Sequence, residues 1–210
     1  PITAKLVANL IAVAGADRVL CMDLHVGQIQ GFFDIPVDHL YAAPVLLKAL
    51  QKLELKDFTI VSPDTGSLKR SRAYAKLVDA PLAFIDKRRP RPNVAEVSNV
   101  VGAVEDRDVI IVDDLIDTAG TMVEAAKALK AEGAREVYAC VTHPVLSGPA
   151  IDRLNASCIK TVIVTDTIPL DDGKRCDKIK VVSVGGLLAE CISRIHNETS
   201  ISSLFVKTHY

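Results

Sequence analysis

The stretch "VIIVDDLIDTAGT", Val109 to Thr121, holds the residues best suited to chemistry. Four apolar residues run into Asp113 and Asp114. Asp117 follows, and Thr118, Ala119, Gly120 and Thr121 then lead into a helical pattern. The implied order is strand, short loop, helix. Loops at the carboxyl ends of parallel strands are where open α/β sheets bind ligands. Successive N–H groups at a helix N-terminus make an anion nest in a favourable dipole. Glycine lets backbone come close to a ligand, and two threonine hydroxyls add donors. A phosphate is the natural guest. The two carboxylates ahead of it would repel a bare phosphate, but they suit sugar hydroxyls, or a metal that bridges to phosphate. A phosphorylated pentose or a nucleotide satisfies both halves. The plainer alternative is a capped helix after a strand, its carboxylates favouring the helix N-terminus.

Other segments carry further candidates. "DKRRPRPN" places Lys87, Arg88, Arg89 and Arg91 close together, with Pro90 and Pro92 denying helix or central strand. It reads as a solvated basic turn or as a set of cations for an anionic substrate. His25 follows the strand-like "RVLCMDL", and Asp64 follows "FTIVS". Each has a structural reading beside the functional one: a satisfied histidine, and a turn-forming Asp after a proline.

These residues need elements to position them. The runs 18–24, 58–62, 82–86, 108–113, 136–142, 161–166 and 180–184 are β-branched and mostly continuous, which predicts strands buried on both faces. Between them 3–14, 43–53, 68–78, 121–132 and 185–196 read as helices, with Gly15 and Gly133 placed to end two of them. The alternation predicts an α/β protein with a largely parallel sheet. "GADRVLCMDLH" from Gly15 is echoed by "GAREVYACVTH" from Gly133, an offset of 118 residues that also pairs His25 with His143 and Thr3 with Thr121. This suggests duplication. Residues 1–40 are then the end of one α/β unit, 41–196 a second and complete one, and 197–210 a tail that can pack on the first. His143 lacks the neighbouring Asp of His25 and reads as structural.

The whole chain sets bounds. Its 210 residues are 49% hydrophobic and 24% charged, with net charge −1, as in ordinary globular domains. Neutrality gives no pull toward nucleic acid or anionic membrane, and no aromatics interleave the basic turn. No apolar run approaches the ~18 residues of a membrane span. Five scattered cysteines make no C-x-x-C pair, which favours a reducing, cytoplasmic setting over a disulfide framework or zinc site.

The segment 109–121 resembles the phosphoribosyl-pyrophosphate motif of the type I phosphoribosyltransferase fold. "DLHVGQIQGFFDIPVD", Asp23 to Asp38, is similar to the signature of the ribose-phosphate pyrophosphokinase family. Residues 85–97 resemble that family's catalytic flexible loop and 61–76 its pyrophosphate loop, while "THPVLSGPAIDRL" and "VTDTIP" fit the same family. The resemblance spans essentially the whole chain. It implies a type I phosphoribosyltransferase-like parallel sheet flanked by helices, with the remnant of a second, duplicated α/β domain. Members carry roughly a hundred further residues ahead of this segment, in line with the duplication.

By that resemblance, the pyrophosphoryl group of ATP passes to the C1 hydroxyl of ribose 5-phosphate for nucleotide biosynthesis. Lys87 and Arg89 would be catalytic. Arg89, Asp113, Asp114, Asp117, Thr118, Ala119, Gly120 and Thr121 would bind ribose 5-phosphate. Mg²⁺ would be the cofactor, held by His25 and Asp64, with Asp23, Asp34 and Asp38 as lesser candidates. ATP and ribose 5-phosphate would be the substrates, phosphate an activator, ADP an inhibitor, and the assembly a homohexamer. The segments that hold adenine in this family lie ahead of residue 1, so the chain alone is expected to turn over poorly. Two positions depart from the pattern: Thr65-Gly66-Ser67 keeps one glycine where two are usual, and Val26 replaces a small or polar residue. Ser67 can still cap the following helix. A non-catalytic subunit of the same family is the first alternative. A phosphoribosyltransferase is the second, but it would need neither the basic loop nor "DLHVGQIQGFF".

Overall fold

The computed structural model describes residues 2–88, 97–174 and 176–204, with side chains at 2, 87, 88, 97 and 98 left aside. Lys87 is therefore described only as backbone, and Arg89 lies outside the described residues. The helices are α1 (Ile2–Val13), α2 (Ala43–Gln51), α3 (Leu68–Leu77), α4 (Gly120–Ala131), α5 (Ala150–Ala156) and α6 (Gly185–His196). The strands are β1 (Val19–Met22), β2 (Val37–Leu40), β3 (Phe58–Ser62), β4 (Leu82–Arg88), β5 (Val97–Val101), β6 (Asp108–Ile116), β7 (Val137–Pro144), β8 (Ile159–Thr165) and β9 (Ile179–Val182). Three short 3₁₀ turns complete the elements, at Gly27–Phe32, Asp172–Lys174 and Ser202–Leu204.

Seven strands form one sheet in the order β5-β4-β3-β6-β7-β8-β9. All neighbours are parallel except β4 and β5. The continuous apolar runs are explained by burial on both faces. Val109 and Ile111 point into one core with α4 and α5, while Ile110 and Val112 point into the other with α2, α3 and α6. All four are fully buried, each worth about 1.5–3 kcal/mol relative to exposure. Among the described residues, no helix is long and apolar enough to cross a membrane.

A second, two-stranded sheet pairs β1 with β2 in parallel. Its Met22 and Leu40 share a core with Val184, Cys191, Ile201 and Leu204. The 118-residue echo has a structural counterpart. Shifted by that offset, the limits of α1 coincide with those of α4, and β1 starts where β7 starts. Gly15 (φ +98°) and Gly133 (φ +83°) turn the chain out of the two helices in the left-handed region, where a side chain is costly.

Some elements depart from expectation. β6 does not end at Asp113; it continues to Ile116, with Leu115 opposite His143 and Ile116 opposite Pro144. The acidic pair therefore lies inside the strand. β2, β5 and α5 have no clear signal: "VDHL" follows a proline and carries two polar residues, "VSNVV" is short, and α5 has only seven residues.

Candidate functional site

The strand order reverses between β3 and β6. From β3 the chain passes through α3 to β4 on one side, and from β6 through α4 to β7 on the other. The two helices pack on opposite faces. This is the switch point at which open α/β sheets form a crevice outside their carboxyl ends. A cleft of about 1050 Å³ lies there, walled by three segments: 23–28 after β1, 64–70 after β3, and 113–122 from β6 into α4.

The third segment forms the floor. Asp117, Thr118 and Thr121 are exposed, and Ala119 is buried. Ala119 adopts the left-handed conformation (φ 59°, ψ 4°) immediately before α4. This costs a non-glycine residue about 1–2 kcal/mol. The change of hand turns successive N–H groups toward one side, as in an anion nest. Among the described residues the N–H groups of 118–121 meet no acceptor. The loop is braced from behind: Arg153 Nη1 donates to Thr118 O (3.0 Å), Ser147 N to Asp117 O (3.1 Å), and Ser147 Oγ to the Asp117 carboxylate. Asp117 thus holds its own loop, while Thr118 and Thr121 keep free hydroxyls among the described residues.

Above the floor sits the acidic pair. Asp113 Oδ1 accepts from Ser67 Oγ (2.9 Å), from Asp114 N (3.0 Å) and, at 3.4 Å, from Arg70 Nη1. Asp114 is almost fully buried; its Oδ1 accepts from Arg70 Nη1 (3.0 Å), and its Oδ2 lies 2.8 Å from His25 Nδ1. Burial pushes the Asp113 carboxyl up to about 7, helped by the hydrogen bond it shares with Asp114, which requires a proton. Burial opposes ionisation of Asp114 too, but the Arg70 charge and the His25 contact outweigh it and hold Asp114 below the usual carboxylate range. Asp113 therefore holds a proton more tightly than Asp114, so the pair can present both an acid and a carboxylate.

Sequence reasoning missed Arg70, which bridges both carboxylates from the first turn of α3 with only 20% of its side chain exposed. The signal was its place three residues after Ser67, hidden by two other basic residues in "LKRSR". Ser67, expected to cap α3, does not, because its hydroxyl donates to Asp113.

The five metal candidates separate. His25 and Asp64 both line the cleft. Asp64 Oδ1 accepts from Ser67 N (2.9 Å), and its Oδ2 takes no hydrogen bond among the described residues. Asp23 reaches the cleft wall, but its buried carboxylate already accepts from Ala42 N and Thr142 Oγ1. Asp34 and Asp38 are not brought to the cleft. Asp34 is exposed and pairs with Lys5 (2.9 Å), and Asp38 pairs with Arg18 (2.5 Å). Among the described residues no group of three or more His, Cys, Asp or Glu is placed to hold a metal ion. Mg²⁺ takes one or two carboxylates, keeps waters and completes its shell with substrate phosphates. The open Asp64 oxygen fits that habit, and an all-protein cage does not.

The family described as the phosphoribosyl synthetase-associated domain matches residues 86–206, more than half of the chain. The chain belongs to this phosphoribosyl synthetase family. It is 61% identical over 206 residues to a ribose-phosphate pyrophosphokinase of Caldanaerobacter subterraneus subsp. tengcongensis, covering 98% of this chain and 65% of that protein. It is 57% identical over 205 residues to the ribose-phosphate pyrophosphokinase of Bacillus subtilis, with the same coverage. Its structure is similar to that of the phosphoribosylpyrophosphate synthetase of Mycobacterium smegmatis, with a TM-score of 0.87 and 41% identity over 94% of this chain and 65% of that one. The chain thus spans about 65% of the length of its phosphoribosyl synthetase relatives. The α/β fold with its mostly parallel, helix-flanked sheet is shared with that structure.

Proposed function

We propose that this chain carries the ribose 5-phosphate side of a site that transfers the β,γ-pyrophosphoryl group of ATP to the C1 hydroxyl of ribose 5-phosphate, yielding phosphoribosyl pyrophosphate and AMP. The observation that carries this reading is a single continuous surface: the unpartnered N–H groups of 118–121 run directly up to Asp113 and Asp114. A phosphate bound at the first places pentose hydroxyls within reach of the second. The C1 oxygen attacks the β-phosphorus, the bond from that phosphorus to the α-bridging oxygen breaks, and AMP leaves. Such a transfer depends on positioning and charge neutralisation more than on covalent catalysis.

In this reading the N–H nest and the hydroxyls of Thr118 and Thr121 hold the 5-phosphate. Asp113 and Asp114 accept from ring hydroxyls, and Arg70 keeps Asp114 ionised for that task. Lys87 and Arg89 neutralise the ATP phosphates, the first as a point charge and the second as a fork. Asp64 and His25 would hold Mg²⁺, which supplies further charge neutralisation at the phosphate oxygens. The names of the relatives support the reaction. The same reading takes phosphate as activator, ADP as inhibitor and a homohexamer as the assembly.

Calorimetry tests the sugar site. Ribose 5-phosphate should bind the Asp113→Ala/Asp114→Ala protein about 10- to 100-fold more weakly, the loss expected for hydrogen bonds to charged groups. Unchanged affinity in a folded double variant would overturn the assignment of the acidic pair to the sugar.

A further inference from the structure

His25 is an exposed member of the cleft wall, with 71% of its side chain accessible, yet it meets a buried carboxylate at 2.8 Å. A ring on so open a loop has no packing of its own to hold it there. Its backbone is held at two places: Leu24 N donates to His39 Nε2 (2.9 Å), and the residues just before are held by the other histidine of the 118-residue echo. His143 Nε2 lies 3.1 Å from both Met22 O and Asp23 O, the last carbonyl of β1 and the first of the loop that bears His25. His143 Nδ1 lies 2.9 Å from Thr167 Oγ1, which fixes the ring plane from the opposite side. The neighbouring Thr142 donates to Asp23 Oδ2 (2.7 Å), and the same oxygen accepts from Ala42 N (2.9 Å). Thr165 Oγ1 and Thr167 Oγ1 both donate to Thr142 O, at 2.6 and 3.0 Å. Asp23 is held in the left-handed region (φ +42°), which turns the chain from β1 toward the cleft.

We infer that His143, with Thr142, is a positioning residue: it docks the end of β1 onto the carboxyl ends of β7 and β8, and so sets His25 against Asp114. The two sheets do not share a ladder. The polar joint therefore adds what apolar packing lacks, a fixed register between the loop after β1 and strand β6. Hydrogen bonds have directional requirements, and apolar contacts tolerate sliding. One copy of the repeated histidine thus serves the cleft, and the other holds it in place. The joint rests on geometry alone; its consequence for turnover rests on the function proposed above.

The test compares His143→Ala with His143→Gln, whose Nε can still donate to the two carbonyls. In side-chain nitrogen NMR of the ligand-free chain, His143→Ala should move the His25 Nδ1 resonance to the position it takes in Asp114→Asn, while His143→Gln should keep it near wild type. Thermal unfolding run alongside separates this from general loosening, because the His25 signal should change in a protein that is still folded. An unmoved His25 resonance in His143→Ala overturns the inference whatever the protein catalyses. If the chain makes phosphoribosyl pyrophosphate, His143→Ala should lower kcat by about 10- to 100-fold, the usual effect of losing an outer supporting contact. KM for ribose 5-phosphate should hold, since the loop at 118–121 is untouched. A moved resonance in a chain that does not bind ribose 5-phosphate would count against the function and leave the joint standing. A rise in KM with kcat unchanged would count against the joint's consequence for turnover.

Discussion

Near the end of β1 the Asp23 carboxylate accepts from Ala42 N and Thr142 Oγ1, both supplied by the protein. Near the end of β6, Asp113 and Asp114 meet Arg70, Ser67 and His25, and their site opens into the cleft. Both strand ends line the same cavity, and both carboxyl groups sit in largely buried positions. The difference lies in the donors. Asp23 is matched by neutral donors whose only role is to join two parts of the chain. The β6 pair is held by one arginine between two carboxylates, which leaves a proton shared and acceptor capacity facing the ligand. An acidic residue at a strand end is thus given its role by the groups that surround it.

Substitutions at three positions probe that contrast. Asp23→Ala should have the largest effect on stability. It leaves the Ala42 N–H and the Thr142 hydroxyl without a buried acceptor and puts alanine in a left-handed conformation, a loss of about 3 kcal/mol or more in urea unfolding. Asp23→Asn keeps one acceptor and tolerates the backbone, so it should lose less. Equal, small losses in both variants would mean that the joint is not structural.

Arg70→Met should follow closely, with about 3 kcal/mol lost at pH 7, because it strands a buried carboxylate. The folded Asp114 ionises below its unfolded range. Its stabilisation is therefore present above that range and is lost as pH falls through the folded value. In Arg70→Met that acid-side decline should flatten. A variant with an unchanged pH–stability curve would show that Arg70 does not set the pair's charge.

Asp113→Asn should have the smallest effect, and of opposite sign. With its folded value raised to about 7, wild-type Asp113 binds a proton more tightly folded than unfolded. Its favourable contribution is complete below the unfolded value and is lost as pH rises through about 7. The amide cannot ionise, so Asp113→Asn should gain on the wild type as pH rises through 7 and be the more stable protein at pH 8. Thermal unfolding across pH 5–9 reads this directly.

The large sheet was legible because burial on both faces leaves long β-branched runs, as in "VIIV". β6 passed its expected end because Ser67, Arg70 and His25 meet the Asp113 and Asp114 carboxyl groups, partners that lie 43 to 89 positions away in sequence. No local pattern announces such pairing. The floor of the cleft could be read from "DTAGT", since the small residues and the helix start are contiguous. The joint could be read only in part: the echo paired His25 with His143, but which loop the second ring would meet depends on how the two sheets dock. Lys87 and Arg89 were legible as chemistry, and their side chains fall outside the described residues.

The central claim is that the nest at 118–121 and the acidic pair form one sugar-phosphate site. Backbone amide NMR during titration of ribose 5-phosphate tests it most directly. The account predicts that the largest shifts fall on the amides of residues 117–121, and that in Asp113→Ala/Asp114→Ala the same amides respond at higher ligand concentration. Shifts confined to other parts of the chain, or a titration indifferent to the double substitution, would contradict it.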